Sequence, residues 1–194
     1  MQQFPTTSPE DDTPGHDEAD LVHTAREDPA AFEMLYHRYR DRVYGYLRTR
    51  TTTDEDAADL TQHVFLRVLD ALPQYQARRG PFAPWLFGIA RNMAVDFHRR
   101  RRVTVALDLV PLALQIAAED DVEAAALRHE AFVRLSILFR ALDADRRELL
   151  ILRFVAKLTV ANIAALIGKR EDATRKYLAR TLHMLKEQYD DTAF

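Results

Sequence analysis

The sequence predicts an all-α protein of two small helical domains joined by a linker, and three observations carry that prediction. Apolar residues recur at three- and four-residue intervals along most of the chain. No stretch alternates apolar and polar residues as a half-buried strand would, and no internal repeat occurs. Near the C-terminus a short apolar helix, a single glycine and a basic helix follow one another at helix-turn-helix spacing.

Residues 1–24 read as a disordered acidic tail. The first twenty carry Glu10, Asp11, Asp12, Asp17, Glu18 and Asp20 without a Lys or Arg, and Pro5, Pro9, Pro14 and Gly15 interrupt any regular pattern. The first domain spans 25–102. From Pro29 onward, Phe32, Leu35, Tyr36, Tyr39, Val43 and Tyr46 form the apolar stripe of a helix that ends near Arg50. Thr51 to Thr53 followed by Asp54, Glu55 and Asp56 is a capping signal, and Ala57, Leu60, Val64, Val68 and Leu72 then continue on one face to give a second helix over about 54–72. A turn-rich stretch runs from Pro73 to Pro81. The third helix follows with Phe82, Trp85, Leu86, Ile89, Ala90, Met93 and Phe97, and closes in a basic run from Arg99 to Arg102.

Residues 103–121 lack a clean period and form the predicted linker, unusually apolar through Val103, Val105, Leu107, Leu109, Val110, Leu112 and Leu114. Such a segment either docks on something or adds a short helix to the core. The second domain, 122–194, shows helical patterns over roughly 122–141, 144–157, 159–167 and 171–188. Within it Ile163, Ala164, Leu166 and Ile167 make a short amphipathic helix, and Gly168 stands where a C-cap needs a left-handed residue.

Composition removes whole classes of function. The 194 residues contain no cysteine, which rules out disulfides, thiolate metal sites and a cysteine nucleophile. The seven histidines never form a metal-binding pair, and the five glycines build no phosphate loop. The acids from Asp54 to Asp59 read as the compensated start of a helix rather than as a cation site. No catalytic residue, metal, cofactor or small-molecule substrate is expected. With no apolar run of about twenty residues and no leader, the expectation is a cytoplasmic protein without membrane insertion.

The net charge of -3 is unevenly spread, and two basic regions stand out. Between Lys169 and Lys186 six basic residues oppose only Glu171 and Asp172; Lys169, Arg170, Arg175, Lys176, Tyr177 and Arg180 can offer donors to phosphates and base edges, while Leu178, Leu182 and Leu185 supply the buried face. A solvated basic helix is the plainer alternative. From Arg91 to Arg102, Arg91, Arg99, Arg100, Arg101 and Arg102 face Asp96 alone, beside several aromatics, a combination suited to single-stranded DNA. Phe82, Trp85 and Phe97 lie on the apolar stripe and belong to the core, which leaves Phe87 as the aromatic candidate for base contact.

The run Trp85-Leu86-Phe87-Gly88-Ile89-Ala90-Arg91-Asn92, followed by Asp96 and the arginines, resembles the promoter-melting helix of extracytoplasmic-function sigma factors of bacterial RNA polymerase. Asp59-Leu60-Thr61-Gln62-His63-Val64-Phe65-Leu66-Arg67 resembles that family's polymerase-binding helix, and Asp28-Pro29 with Ala31-Phe32 and Leu35-Tyr36 its opening helix. The likeness covers about 25–102 and, less closely, 131–188. It implies a sigma factor that binds core RNA polymerase and directs promoter-specific initiation. Asp59, Gln62, Phe65 and Leu66 would dock on the polymerase. The loop from Gln74 to Pro81, with Arg78 and Arg79, would capture a flipped base of the minus-ten element, and Phe87, Arg91, Asn92, Asp96, Arg99, Arg100 and Arg101 would hold the separated strand. Lys169, Arg170, Arg175, Lys176, Tyr177 and Arg180 would read the minus-thirty-five element of the duplex, and an anti-sigma factor would be the controlling partner.

The chain departs from the family's pattern at His63 and Asn162, where acids are usual, at Thr174, where an apolar residue is usual, and at Tyr177, where arginine is common. The sequence also fits two other readings. A stand-alone helix-turn-helix regulator would bind duplex DNA as a symmetric dimer. A helical protein-interaction module would dock only on proteins and leave its basic patches solvated.

Overall fold

The structure, a computed structural model, describes residues 15–101 and 122–191; the predicted linker and the first fourteen residues of the predicted tail lie outside the described residues. All regular structure among the described residues is helical. The N-terminal half comprises α1 (Gly15–Thr24), α2 (Pro29–Arg48), α3 (Asp54–Ala71) and α4 (Phe82–Arg101), with two 3₁₀ turns, Leu72–Gln74 and Ala77–Arg79, between the last two. The C-terminal half comprises α5 (Val122–Ala141), α6 (Ala144–Leu150) with a π-helical continuation Ile151–Val155, α7 (Val160–Ile167) and α8 (Glu171–Asp191). Among the described residues no helix is long and apolar enough to cross a membrane.

Capping fixes the helix starts where the sequence signals them. The Asp28 carboxylate accepts from the Ala30 N–H at 2.9 Å with Pro29 opening α2, and the Thr53 hydroxyl accepts from the Asp56 N–H at 3.1 Å. Asp54, Glu55 and Asp56 then place negative charge against the positive end of the α3 dipole. Asp54 also accepts from Tyr44 at 3.2 Å and pairs with Arg48, so two α2 side chains hold the start of α3 across the turn. The Arg48 guanidinium holds the Asp54 carboxyl below the usual range.

The acidic tail is corrected from Gly15 onward, since residues 15–24 are helical and Val22 and Ala25 are buried in the core. Acidic composition hid a short stripe, Leu21, Val22 and Ala25, that packs α1 on α2; the Tyr39 hydroxyl donates to Glu18 across that contact. Burial, then the Glu18 carboxylate, pushes the Tyr39 hydroxyl well above its ordinary pKa. The helix expected over 144–157 is also not uniform. It widens into a π turn at Ile151–Val155 and stops at Lys157, a non-glycine residue at φ +52°.

The two halves share one continuous core that runs from Val22 through Leu86 and Phe87 to Leu152, Leu158 and Ile163. α4 meets α7 where Leu166 approaches Gly88, so closely that a β-carbon at position 88 would lie 3.8 Å from Leu166 Cδ1. α2 meets the π turn, where Arg42 Nε donates to the Ala156 carbonyl at 2.8 Å and Nη2 to the Lys157 carbonyl at 3.1 Å. The left-handed Lys157 ends the turn at those carbonyls.

Candidate nucleic-acid interface

In the N-terminal half the loop between α3 and α4 is held from two directions. Arg26, just after α1, donates to the Tyr75 carbonyl at 2.6 Å, and the Tyr75 hydroxyl donates to the Gly80 carbonyl at 2.8 Å, closing the 3₁₀ turn that bears Arg78 and Arg79. The Tyr75 ring is buried and packs tilted on Trp85 at 5.0 Å and edge-on to Phe82 at 5.7 Å. Arg78 and Arg79 are exposed; Arg78 reaches Gln76 Oε1 through both Nε and Nη2 and otherwise faces solvent. Arg26 was not anticipated as a functional residue. Its partner lies 49 positions away, so no local pattern could reveal it.

Along α4, Arg91, Asn92, Asp96 and Arg99 are exposed, and Arg99 pairs with Asp96 at 3.4 Å. Arg100 and Arg101 continue the same helix. Phe87, expected as the free aromatic for base contact, is corrected to a core residue: it is wholly buried, edge-on to Tyr46 at 5.5 Å and beneath the Arg42 guanidinium at 5.8 Å. It lies off the apolar stripe read from α4 alone, and Tyr46 and Arg42 of α2 close over it, contacts that periodicity within α4 does not encode. Trp85 and Phe97 are partly buried against the core and Phe82 is buried.

On α3, Asp59, Gln62 and Leu66 are exposed, Leu66 at 60%. Phe65 is corrected to a core position, 5% exposed and edge-on to Tyr36 at 4.8 Å, so it underlies the face instead of forming it. Leu66 and Asp59 line a groove of about 730 Å³ with Leu60, Met93, Asp96 and Phe97, bordered by Asp56, His63, Arg67 and Asp70. Asp96 therefore stands in the groove shared by α3 and α4.

In the C-terminal half the predicted helix-turn-helix is present. The Thr159 hydroxyl caps α7 by accepting from the Asn162 N–H at 3.1 Å, and Gly168, at φ +66°, makes the left-handed exit into α8. Lys169, Arg170, Arg175, Lys176 and Arg180 are exposed, with Arg175 paired to Glu171 and to Asp172. Tyr177 is half-buried between Lys169 and Arg146, and its hydroxyl leans on Asp143, the cap of α6, at 3.5 Å. Thr174 is buried and donates to the Arg170 carbonyl at 3.1 Å, so a polar side chain occupies an anchoring position with its hydroxyl satisfied within the helix.

The Sigma-70 region 2 family matches residues 35–104, which covers the loop and α4. The ECF RNA polymerase sigma factor SigD of Mycobacterium tuberculosis is 33% identical to this chain over 165 residues, spanning 83% of this chain and 78% of that protein. The chain belongs to the ECF sigma factors. The RNA polymerase sigma factor CarQ of Myxococcus xanthus is likewise 33% identical, over 81% of this chain and 88% of its own length. In fold this ECF sigma factor is similar to CnrH in its complex with the cytosolic domain of CnrY, with a TM-score of 0.63 at 23% identity over 90% of this chain and 97% of that one. It also resembles RpoE of Bartonella quintana, solved with the anti-sigma factor NepR, with a TM-score of 0.56 at 17% identity over 82% and 96% of the two chains. As a sigma factor it directs transcription initiation by RNA polymerase.

Proposed function

We propose that this sigma factor divides its work between its two halves, acting without catalysis of its own, in the cytoplasm. The N-terminal half stabilises the melted minus-ten element through Arg78 and Arg79 on the braced loop and through Arg91, Asn92, Arg99, Arg100 and Arg101 on α4. The C-terminal half sets α8 in the major groove of the minus-thirty-five element through Lys169, Arg170, Arg175, Lys176 and Arg180, with Tyr177 supporting Lys169 from beneath. The α3 face of Asp59, Gln62 and Leu66, with the acidic apolar groove beside it, docks on core RNA polymerase, and an anti-sigma factor competes for these surfaces. The observation that carries the reading is the loop of Arg78 and Arg79 held by Arg26 and Tyr75 alongside the exposed polar face of α4. Taking a base out of its stack costs a few kcal/mol, so cations already fixed in place offset the melting better than mobile ones.

The test is run-off transcription and promoter opening with core polymerase, comparing the wild type with the Arg99→Ala, Arg100→Ala, Arg101→Ala triple variant. Open-complex formation is expected to weaken. Loss of three single-strand phosphate contacts flattens the slope of log K against log salt by roughly 2. Promoter opening that is unchanged in the triple variant rules the assignment out.

A further inference from the structure

The two promoter elements lie about 25 base pairs apart by their own numbering, which at about 3.4 Å per base pair is roughly 85 Å of duplex. A domain of about 100 residues has a radius of gyration near 13 Å, which is a body about 34 Å across, so two domains sharing one core span less than about 70 Å and fall short of that distance. The packed arrangement seen here cannot engage both elements, and the halves must part when they do. What the interface holds therefore changes partner on promoter binding.

The most polar point of that interface is a single carboxylate. Glu148 of α6 accepts from the Tyr46 hydroxyl at 3.1 Å through one oxygen and from Arg50 Nη2 through the other. Both ionic partners are largely shielded, with side-chain exposures of 13% for Arg50 and 22% for Glu148. The Arg50 guanidinium is held in place by its own half. Its Nη1 donates to the Tyr46 carbonyl at 3.0 Å and to Thr49 Oγ1 at 2.8 Å, and its carbon lies 3.7 Å from the Tyr46 ring centroid. Two α4 residues are near enough to feel this centre: the Arg91 charge acts on the Tyr46 hydroxyl, and the Arg50 charge acts on His98.

We propose that Arg50, with Tyr46, is a phosphodiester-binding site for the promoter strand, which the Glu148 carboxylate fills when the two halves are packed together. Separation withdraws Glu148 but none of the contacts that orient Arg50, so a fixed, outward-facing fork is left without its anion. A phosphodiester presents two non-bridging oxygens that can take the places of the two carboxylate oxygens, one on Arg50 and one on Tyr46. The site lies at the end of α2, beside the helix whose exposed arginines are read above as strand-binding, and it rests on that reading. Closure and strand binding then exclude one another at Arg50.

Fluorescence anisotropy of a labelled oligothymidine strand with the full chain, titrated against salt, tests this. Glu148→Gln removes the competing charge and is expected to tighten binding by up to about tenfold. Arg50→Gln is expected to weaken binding and flatten the salt slope by about 0.7, the value of one single-strand phosphate contact. In the Arg50→Gln background the gain from Glu148→Gln should vanish. Should Arg50→Gln lose its helical circular dichroism, Arg50→Lys carries the same comparison, with weaker binding and less than half of the Glu148→Gln gain. No gain from Glu148→Gln, or a gain that persists without Arg50, overturns the site. The triple arginine variant separates the two readings: if it alone loses binding, the α4 face stands and the Arg50 site falls, and if no variant differs from the wild type both fall.

Discussion

Replacing Phe87 separates two roles that the sequence alone leaves open, and the structure sets the size of the effect. The ring is wholly buried, edge-on to Tyr46 at 5.5 Å, with the Arg42 guanidinium 5.8 Å above it. Truncating such a ring costs about 3–5 kcal/mol, of which roughly 0.5–1.5 kcal/mol is the aromatic pair itself. For a chain of this size each kcal/mol lowers the melting temperature by about 2–4 °C, so Phe87→Ala should melt roughly 6–20 °C below the wild type. Phe87→Leu keeps most of the volume and should cost about 1.5 kcal/mol. Thermal melting by circular dichroism measures both, and strand binding by anisotropy is measured alongside at a temperature where each variant is folded. Under those conditions Phe87→Leu should bind the strand as the wild type does. A Phe87→Leu protein with unchanged melting and lost strand binding would show that the ring works at the surface, and the buried assignment would be wrong.

Two further outcomes follow from local geometry. Gly168→Ala places a β-carbon in open space but at φ +66°, so its cost is conformational only, about 1 kcal/mol, and Gly168→Asn should recover part of it; equal melting of all three proteins would refute a left-handed requirement there. His98 is held below its ordinary pKa of 6.5, first by burial and then by the Arg50 charge. Because its folded pKa is the lower one, the unfolded chain takes up the proton first, so the stability His98 contributes is fully present above about 6.5 and lost as pH falls through the folded value. Melting temperatures measured between about pH 8 and pH 5.5 should fall less steeply in His98→Gln than in the wild type, and parallel curves would refute the assignment.

Helix positions and both capped turns were legible in the sequence because their signals are local. Thr53 before three acids, Asp28 before Pro29 and Gly168 between two helices each satisfy or terminate a helix within a few residues of themselves. The exposed cations of α4 and α8 were legible for the same reason, since a basic face is read from the residues that compose it. Phe65 and Phe87 were misplaced because burial belongs to the neighbours that cover them, Tyr36 of α2 in one case and Tyr46 and Arg42 of α2 in the other. The α1 helix was missed because acidic composition outweighed a stripe of three apolar residues. Arg26 with Tyr75, and Arg50 with Glu148, are 49 and 98 positions apart, and no window along the chain brings either pair together.

Two kinds of polar tie join the halves among the described residues, and their sizes bear on how closure is undone. Arg42 holds two backbone carbonyls, which remain well solvated acceptors when released, whereas Arg50 and Tyr46 hold a carboxylate with little access to water. Hydrogen bonds to charged groups are worth about 1.5–3 kcal/mol each, so this set together with the apolar contact at Gly88 and Leu166 amounts to several kcal/mol. A bias of that order keeps most free chains closed, yet a ligand that binds only the open form about 10⁴-fold better reverses it. A strand phosphate at Arg50 competes with the tie itself, which makes the nucleic acid, and not only the protein partner, a determinant of when the two halves part.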